Sequence, residues 1–321
     1  MLNSELRKRT AFGMIVFCLI FAALLVTATF TDLQVSRILT AGTLLPGKFL
    51  ADGTFGIVFE CLGCVAPFLV GSFCFASLFI YSFRFVENKK LKTLLCLIMF
   101  IAVCAVNIAV LIDVLGFNLR HYGVEGTPEF MKAELTVAGI FFAFPEILAV
   151  NNFSDDSVKK MLRFTYAALF AIAVSTITIE LVKRPFGRPR YRAMNYAGDF
   201  SYYTRWYVIN GQPDKEWMVE TFSSTDACKS FPSGHTSSAA MAFCLVMFKD
   251  LFPGMSRKKT AALWIIPFIW TVTVALSRIM VGAHFFSDVL IGGTFGFLTV
   301  MAGREIFICR GAHFKALLGK E

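Results

Sequence analysis

Charge is what this chain has least of. Charged residues fill 17% of its 321 positions and hydrophobic ones 56%, whereas a soluble domain carries about 25% charged residues. With a mean hydropathy of +0.65, polar surface is too sparse to cover a water-soluble globule, which excludes a pair of soluble domains. Disorder is excluded too, because 36 Phe, 8 Tyr and 4 Trp supply more apolar surface than an unfolded chain leaves in water. Histidine is scarce, at His121, His235, His284 and His313 only. No internal repeat or low-complexity tract is present. The nine cysteines make no disulfide framework. Cys18, Cys61, Cys64, Cys74, Cys96, Cys104, Cys244 and Cys309 lie in or beside apolar runs and read as small buried hydrophobes. Cys61-x-x-Cys64 lacks the second pair or the histidines of a zinc site. These absences leave an all-α, polytopic membrane protein.

A helix crosses the hydrocarbon core with about 20 apolar residues. Eight segments approach that length: 11–30, 56–83, 93–115, 135–150, 164–182, 233–252, 261–277 and 284–302. The first exceeds the apolar stretch of a signal peptide and reads as a retained anchor. The fourth is short and interrupted by Pro145 and Glu146, so a re-entrant or amphipathic piece is its alternative. The net charge of +9 sits in short clusters between the runs, at Arg7 to Arg9, Arg84 to Lys92, Lys159 to Arg163 and Arg257 to Lys259, which is how cytoplasmic loops are marked. That placement argues for a bilayer and against nucleic acid as the partner of the charge. All four clusters share one side only if 135–150 crosses. Eight crossings then result, with 311–321 as a cytoplasmic tail and the polar stretches 183–232 and 278–283 together on the opposite face.

The longest stretch outside the apolar runs, 183–232, exceeds the length of an ordinary connection. It carries Tyr191, Tyr196, Phe200, Tyr202, Tyr203, Trp206, Tyr207, Trp217 and Phe222, aromatics suited to the headgroup level of a bilayer. The expectation is an ordered interfacial cap over 191–231.

Two of the four histidines stand in polar punctuation at the start of apolar helices. His235 follows Pro232-Ser233-Gly234, and a helix opening on Ser and Gly offers free backbone N–H groups to an anion. His284 precedes Asp288 by four residues, a spacing that puts two helical residues on one face. A carboxylate there would hold the imidazole tautomer that leaves the other nitrogen free. Ser277 and Arg278 end the preceding helix only five residues earlier. A third constellation, 183–192, holds five basic residues, Lys183, Arg184, Arg188, Arg190 and Arg192. On the face opposite the anchoring clusters, such a group is suited to phosphate oxygens. Glu60, Asn107, Asp113, Glu146 and Glu180 lie in or beside apolar runs, where ionisable groups are functional candidates. Only Glu180 has an evident partner, Lys183 one turn away, and the others read as structural.

Read together, Lys183 with six residues before Arg190, Pro-Ser-Gly-His at 232–235, and Ser277-Arg278 with five residues before His284 and three more before Asp288 resemble the three motifs of the type-2 phosphatidic acid phosphatase family. The resemblance covers about 120 residues, 183–302. One departure is that Tyr191 stands where the first motif ends in Pro; the Arg188-Pro189 pair supplies the dipeptide but puts Leu181 where the lysine belongs, so spacing favours Arg190. The resemblance implies a helical membrane core in which His284 attacks phosphorus to form a phosphohistidine, oriented by Asp288. His235 would protonate the leaving alkoxide and then activate water. Lys183, Arg190, Arg278, Ser233 and the Gly234 N–H would hold the phosphoryl oxygens, with Arg188, Ser277 and Tyr191 as further candidates. Three fixed cations can stand in for a metal, so no metal or other cofactor is expected.

The resulting division is 1–150 as transmembrane helices of unassigned role, 151–310 as the catalytic membrane domain and 311–321 as the tail. The function implied is hydrolysis of a lipid-linked phosphomonoester or diphosphate at the non-cytoplasmic face of a cell membrane. Alternatives are a phosphotransferase with the same site, a vanadate-dependent haloperoxidase, which the apolar runs disfavour, and a non-enzymatic lipid-binding or transport protein.

Overall fold

In hydrocarbon every backbone N–H and C=O must find a partner within the chain, and an apolar segment does this most simply as a helix. The computed structural model describes residues 2–120, 123–124 and 127–318; His121 lies outside them. In chain order the helices are α1 (Leu2–Thr40), α2 (Thr54–Leu62), α3 (Val65–Phe85), α4 (Lys89–Arg120), α5 (Glu129–Asn151), α6 (Asp155–Phe186), α7 (Tyr191–Ala197), α8 (Lys215–Phe222), α9 (Gly234–Ala240), α10 (Met247–Leu251), α11 (Arg257–Met280), α12 (Phe286–Phe307) and α13 (Ala312–Leu317). No strand occurs among the described residues.

Among the described residues, seven helical stretches are long and apolar enough to cross a bilayer: 5–40, 54–85, 89–120, 129–151, 155–197, 257–280 and 286–307. The segment expected at 135–150 belongs to the fourth. Pro145 does not interrupt α5, and Glu146 accepts hydrogen bonds from Ser72 Oγ and, at 3.3 Å, from Asn107 Nδ2. Three neighbouring helices thereby satisfy one another's intramembrane polar groups. The expected crossing at 233–252 differs from a regular helix. It runs as α9, a 3-10 stretch over Met241–Val246, and α10. Because a 3-10 residue rises about 2.0 Å where an α residue rises about 1.5 Å, this short run reaches roughly 30 Å, the thickness of a hydrocarbon core.

The helix ends sort into two groups. Arg84 donates to Phe153 O at 2.9 Å and to Asp155 Oδ1 at 2.8 Å. Lys160 Nζ lies 5.8 Å from the Phe252 ring centroid, and Arg304 pairs with Asp250 at 2.7 Å. The basic connections near 84–92, 151–163 and 250–259 therefore meet at one end of the bundle. The other end gathers Asp32, Glu60, Lys183, His235, Arg278 and His284. Large apolar side chains such as Phe12, Ile38, Phe130, Phe141 and Ile266 point outward, as lipid-facing residues do.

Helix α12 lies against α6 and α9 with almost no side chain between them. A Cβ on Gly292 would stand 2.3 Å from Ser233 O, one on Gly296 2.5 Å from Ser237 O, and one on Gly303 2.5 Å from Ala167 O. Small residues at such spacing let helix backbones touch. The 191–231 connection is ordered into α7, a 3-10 turn at Phe200–Tyr202, and α8. The Trp206 indole N–H ties it to Thr29 Oγ1 of α1 at 2.9 Å.

Candidate active site

Helices α2, α4, α6, α7, α9 and α11 and the turn before α12 deliver polar groups to one pocket of about 230 Å³. Helix α6 supplies Lys183 in its last turn before stopping at Gly187, whose φ of +49° is a left-handed conformation that costs glycine least. The chain then turns through Arg190, whose backbone N–H donates to Ala227 O at 2.7 Å. Helix α9 opens with Gly234 and His235, α11 ends with Arg278, and the short turn 281–285 carries His284. That turn is made by Gly282 at φ +64°, where a Cβ would also meet Arg192 N at 3.2 Å.

His284 is buried, and its Nδ1 lies 2.5 Å from the Ser230 carbonyl oxygen. A carbonyl only accepts, so Nδ1 carries the proton and Nε2 keeps its lone pair. Burial, together with the Arg190 and Arg278 guanidiniums, pushes this imidazole well below the usual histidine range. It is therefore neutral and available as a nucleophile.

The expected contact between Asp288 and His284 is absent. Asp288 Oδ2 accepts from Phe285 N at 2.9 Å and from Ser230 Oγ at 2.5 Å, and Oδ1 accepts from Arg188 Nη1 at 2.5 Å. The reason is local. Helix α12 begins at Phe286, so His284 precedes it and the four-residue helical spacing does not apply. Asp288 instead folds back to cap its own helix, and reaches His284 only through Ser230, whose hydroxyl it binds and whose carbonyl holds the ring.

The cations divide in the same way. Lys183 Nζ pairs with Glu180 at 2.6 Å and stands 3.1 Å from where a Cβ on residue 234 would be, so glycine there lets the ammonium approach the opening of α9. Arg190 donates to Asp226 O at 2.8 Å and to Ala283 O at 3.3 Å. Arg190 beside it holds the Asp226 carboxyl well below the usual carboxylate range. Arg278 Nη2 pairs with Glu60 at 2.9 Å, and Arg192 Nη1 lies 3.5 Å from the same carboxylate. Nε and Nη1 of both Arg192 and Arg278, and His235 Nε2, are buried with no hydrogen-bond partner among the described residues. Groups of this kind left unsatisfied are costly. A tetrahedral oxyanion in the pocket would satisfy them together.

Five expected site residues do not line the pocket. Arg188 is fully buried and held by Asp288 and, at 3.0 Å, by Asp32 of α1, with its guanidinium 4.2 Å from the Phe285 ring centroid. Asp288 belongs to that same buried cluster. Ser233 is turned into its helix, its Oγ accepting from Thr236 N at 3.4 Å. Ser277 donates to Val274 O at 2.7 Å. Tyr191 opens α7 at the first helical position, where proline is favoured for its preset φ. It packs its ring against Phe200 and Phe285 instead.

Sequence reasoning missed Arg120 and Phe117, which also line the pocket, together with Asp32 and Ser230 behind it, and it read the pocket residue Glu60 as structural. Arg192, named there only as a member of the basic run, lines the pocket too. Glu60 is an isolated carboxylate in an apolar helix, and that oddity is its only signal. Of the metal-ligand types, Glu305, Cys309 and His313 cluster at the far end of α12, whereas the pocket carboxylates Glu60, Glu180 and Asp226 each face a cation.

Residues 164–308 match the PAP2 superfamily model. The chain is similar to the lipid A 1-phosphatase of Rhizobium johnstonii, 32% identical over 146 residues, 46% of this chain and 49% of the relative. It is also similar to the lipid A 1-phosphatase of Rhizobium etli, 34% identical over 131 residues, 40% of this chain and 45% of the relative. The chain thus spans about half the length of the curated relatives it matches. No solved structure matches it. The matched segment carries both histidines and the cations Lys183, Arg190 and Arg278.

Proposed function

We propose that this chain is an integral membrane phosphatase that removes phosphate from a lipid-linked phosphomonoester or diphosphate through a phosphohistidine on His284, without a metal. The observation that carries the reading is the pairing of His284 Nδ1 with Ser230 O, which leaves Nε2 as a nucleophile among buried, unsatisfied guanidinium donors. Nε2 attacks phosphorus, the P–O bond to the lipid breaks, and His235, which takes up a proton as the phosphate dianion docks against its buried, unpartnered Nε2, passes that proton to the departing alkoxide. The same histidine then takes a proton from water as its oxygen attacks the phosphohistidine, and phosphate leaves. Lys183, Arg190, Arg192, Arg278 and the Gly234 N–H oppose the charge that builds on the phosphoryl oxygens; phosphoryl transfer asks mainly for such positioning and charge stabilisation.

Apolar helices with outward-facing side chains support a substrate presented from the bilayer. The gathering of basic connections at the opposite end supports a non-cytoplasmic site. The names of the two relatives make phosphorylated saccharolipid the first substrate to try, ahead of phosphatidate, phosphatidylglycerophosphate and polyprenyl diphosphate. The test is phosphate release by purified protein from that panel, beside His284→Ala. Release should occur without an added acceptor, survive chelator and fall to background in the variant. An unchanged rate in His284→Ala removes the mechanism, loss with chelator and recovery with metal removes metal independence, and turnover only with an added acceptor makes the chain a phosphotransferase.

A further inference from the structure

Beside the catalytic pocket lies a second cleft, of about 320 Å³, between the end of α6, the 210–215 strap and α8. It shares Glu180, Lys183 and Lys229 with the catalytic pocket and adds Arg184 and Lys215. Four cations and one carboxylate line it.

The cleft is built rather than a chance meeting of surface lysines. Gly211 N donates to Pro185 O at 2.9 Å, and Asn210 Nδ2 donates to Phe186 O at 2.9 Å, which pins the strap to the last turn of α6. Gly187 lets the two backbones touch, since a Cβ there would lie 1.7 Å from Gly211 O. Lys183 and Lys229 on the shared wall are paired, with Glu180 at 2.6 Å and Asp226 at 3.0 Å. Arg184 and Lys215 have no ion-pair partner among the described residues. A wall of paired cations leads into a recess with two uncompensated ones, and nothing in the catalytic pocket needs them.

We propose that this cleft is a second anion subsite and that the substrate head group carries a further phosphate beside the one removed. This rests on the phosphatase reading above. The second phosphate has two sources, the other phosphoryl group of a diphosphate or a phosphate elsewhere on the same head group, and the shared chemistry is a dianionic phosphoryl group opposite Arg184 and Lys215.

The test compares lipid pairs that differ by one phosphate: a saccharolipid with one or two separate phosphates, and a polyprenyl monophosphate or diphosphate. Wild-type protein is set against Arg184→Gln/Lys215→Gln, two exposed positions outside the catalytic pocket. Affinity is also measured in a His284→Ala background. The expected result is a kcat/KM advantage of the two-phosphate lipid of about ten- to a hundredfold, the worth of one or two charge-assisted contacts. The double substitution erases that advantage and leaves the one-phosphate lipid unchanged. An advantage confined to the diphosphate pair identifies an adjacent phosphoryl group, and one confined to the saccharolipid a remote phosphate. No advantage in either pair, or an equal fall for one- and two-phosphate lipids, overturns the proposal. If no lipid is hydrolysed the phosphatase reading fails, and binding in the His284→Ala background still decides the subsite by the same comparison.

Discussion

Asp288→Asn distinguishes a carboxylate that orients the nucleophile directly from one that acts through Ser230. If Asp288 held the imidazole itself, its loss would cost about 10⁴-fold in kcat, as for a triad aspartate. In the structure it binds Ser230 Oγ at 2.5 Å and Arg188 Nη1 at 2.5 Å, while His284 Nδ1 is held by the Ser230 carbonyl. The amide keeps one acceptor oxygen, and Arg188 keeps Asp32 at 3.0 Å, so the buried guanidinium is not left alone. What is lost is one or two charge-assisted hydrogen bonds, about 1.5–3 kcal/mol each. The expected result is a stability loss of about 2–3 kcal/mol with kcat reduced about ten- to a hundredfold. Ser230→Ala, which keeps the carbonyl and removes the link to Asp288, should fall by a similar factor, and the double variant by less than the product of the two. The assays are phosphate release and equilibrium unfolding in detergent. A 10⁴-fold loss in Asp288→Asn with wild-type stability, beside an unaffected Ser230→Ala, would refute the argument.

Glu60→Gln leaves Arg192 and Arg278 without the carboxylate between them, which should cost about 3–5 kcal/mol of stability; inorganic phosphate should restore more thermal stability to this variant than to wild type, and equal shifts would count against the pairing. Gly292→Ala puts a Cβ 2.3 Å from Ser233 O, so it should destabilise by about 1–3 kcal/mol and lower activity by displacing the start of α9; wild-type unfolding and rates would show that the helices can part freely. His284 has its pKa lowered in the folded state, so the unfolded chain binds a proton that the native site refuses. The histidine's contribution to stability is complete above about pH 6.5 and falls as pH drops, by up to about 1.4 kcal/mol per pH unit until the folded pKa is reached. Unfolding measured from pH 7 to 5 should be less pH-dependent in His284→Gln than in wild type, and identical slopes would contradict a buried neutral imidazole.

The membrane helices are legible in the sequence because their signal is a run of about 20 apolar residues that owes nothing to neighbours. The pocket's Lys183, Arg190, His235, Arg278 and His284 are legible through order and spacing along one stretch of chain. Glu60 is not, because it reaches Arg278 across 218 positions and nothing local distinguishes it from a structural carboxylate. Asp32 is hidden in the same way, holding Arg188 across 156 positions. The Asp288 misreading has the opposite origin: spacing was available, but which side of a helix start a residue falls on is decided by two positions. The 3-10 stretch over Met241–Val246 had no sequence signal, since its residues would suit a regular helix equally well.

The contact between Gly292 and the Ser233 carbonyl also acts as a gauge. His235 and His284 come from segments that share no covalent rigidity, and the two-step reaction proposed above needs them at a set separation. Helix α12 begins just after His284, and α9 begins just before His235, so the backbones that touch at Gly292 belong to the carriers of both. Their spacing is set by a hydrogen atom on a Cα, the hardest and least adjustable surface a residue offers. A side chain at that point would have rotamers and could drift with temperature or lipid composition. The two histidines are thus indexed to each other through main chain rather than through side chains.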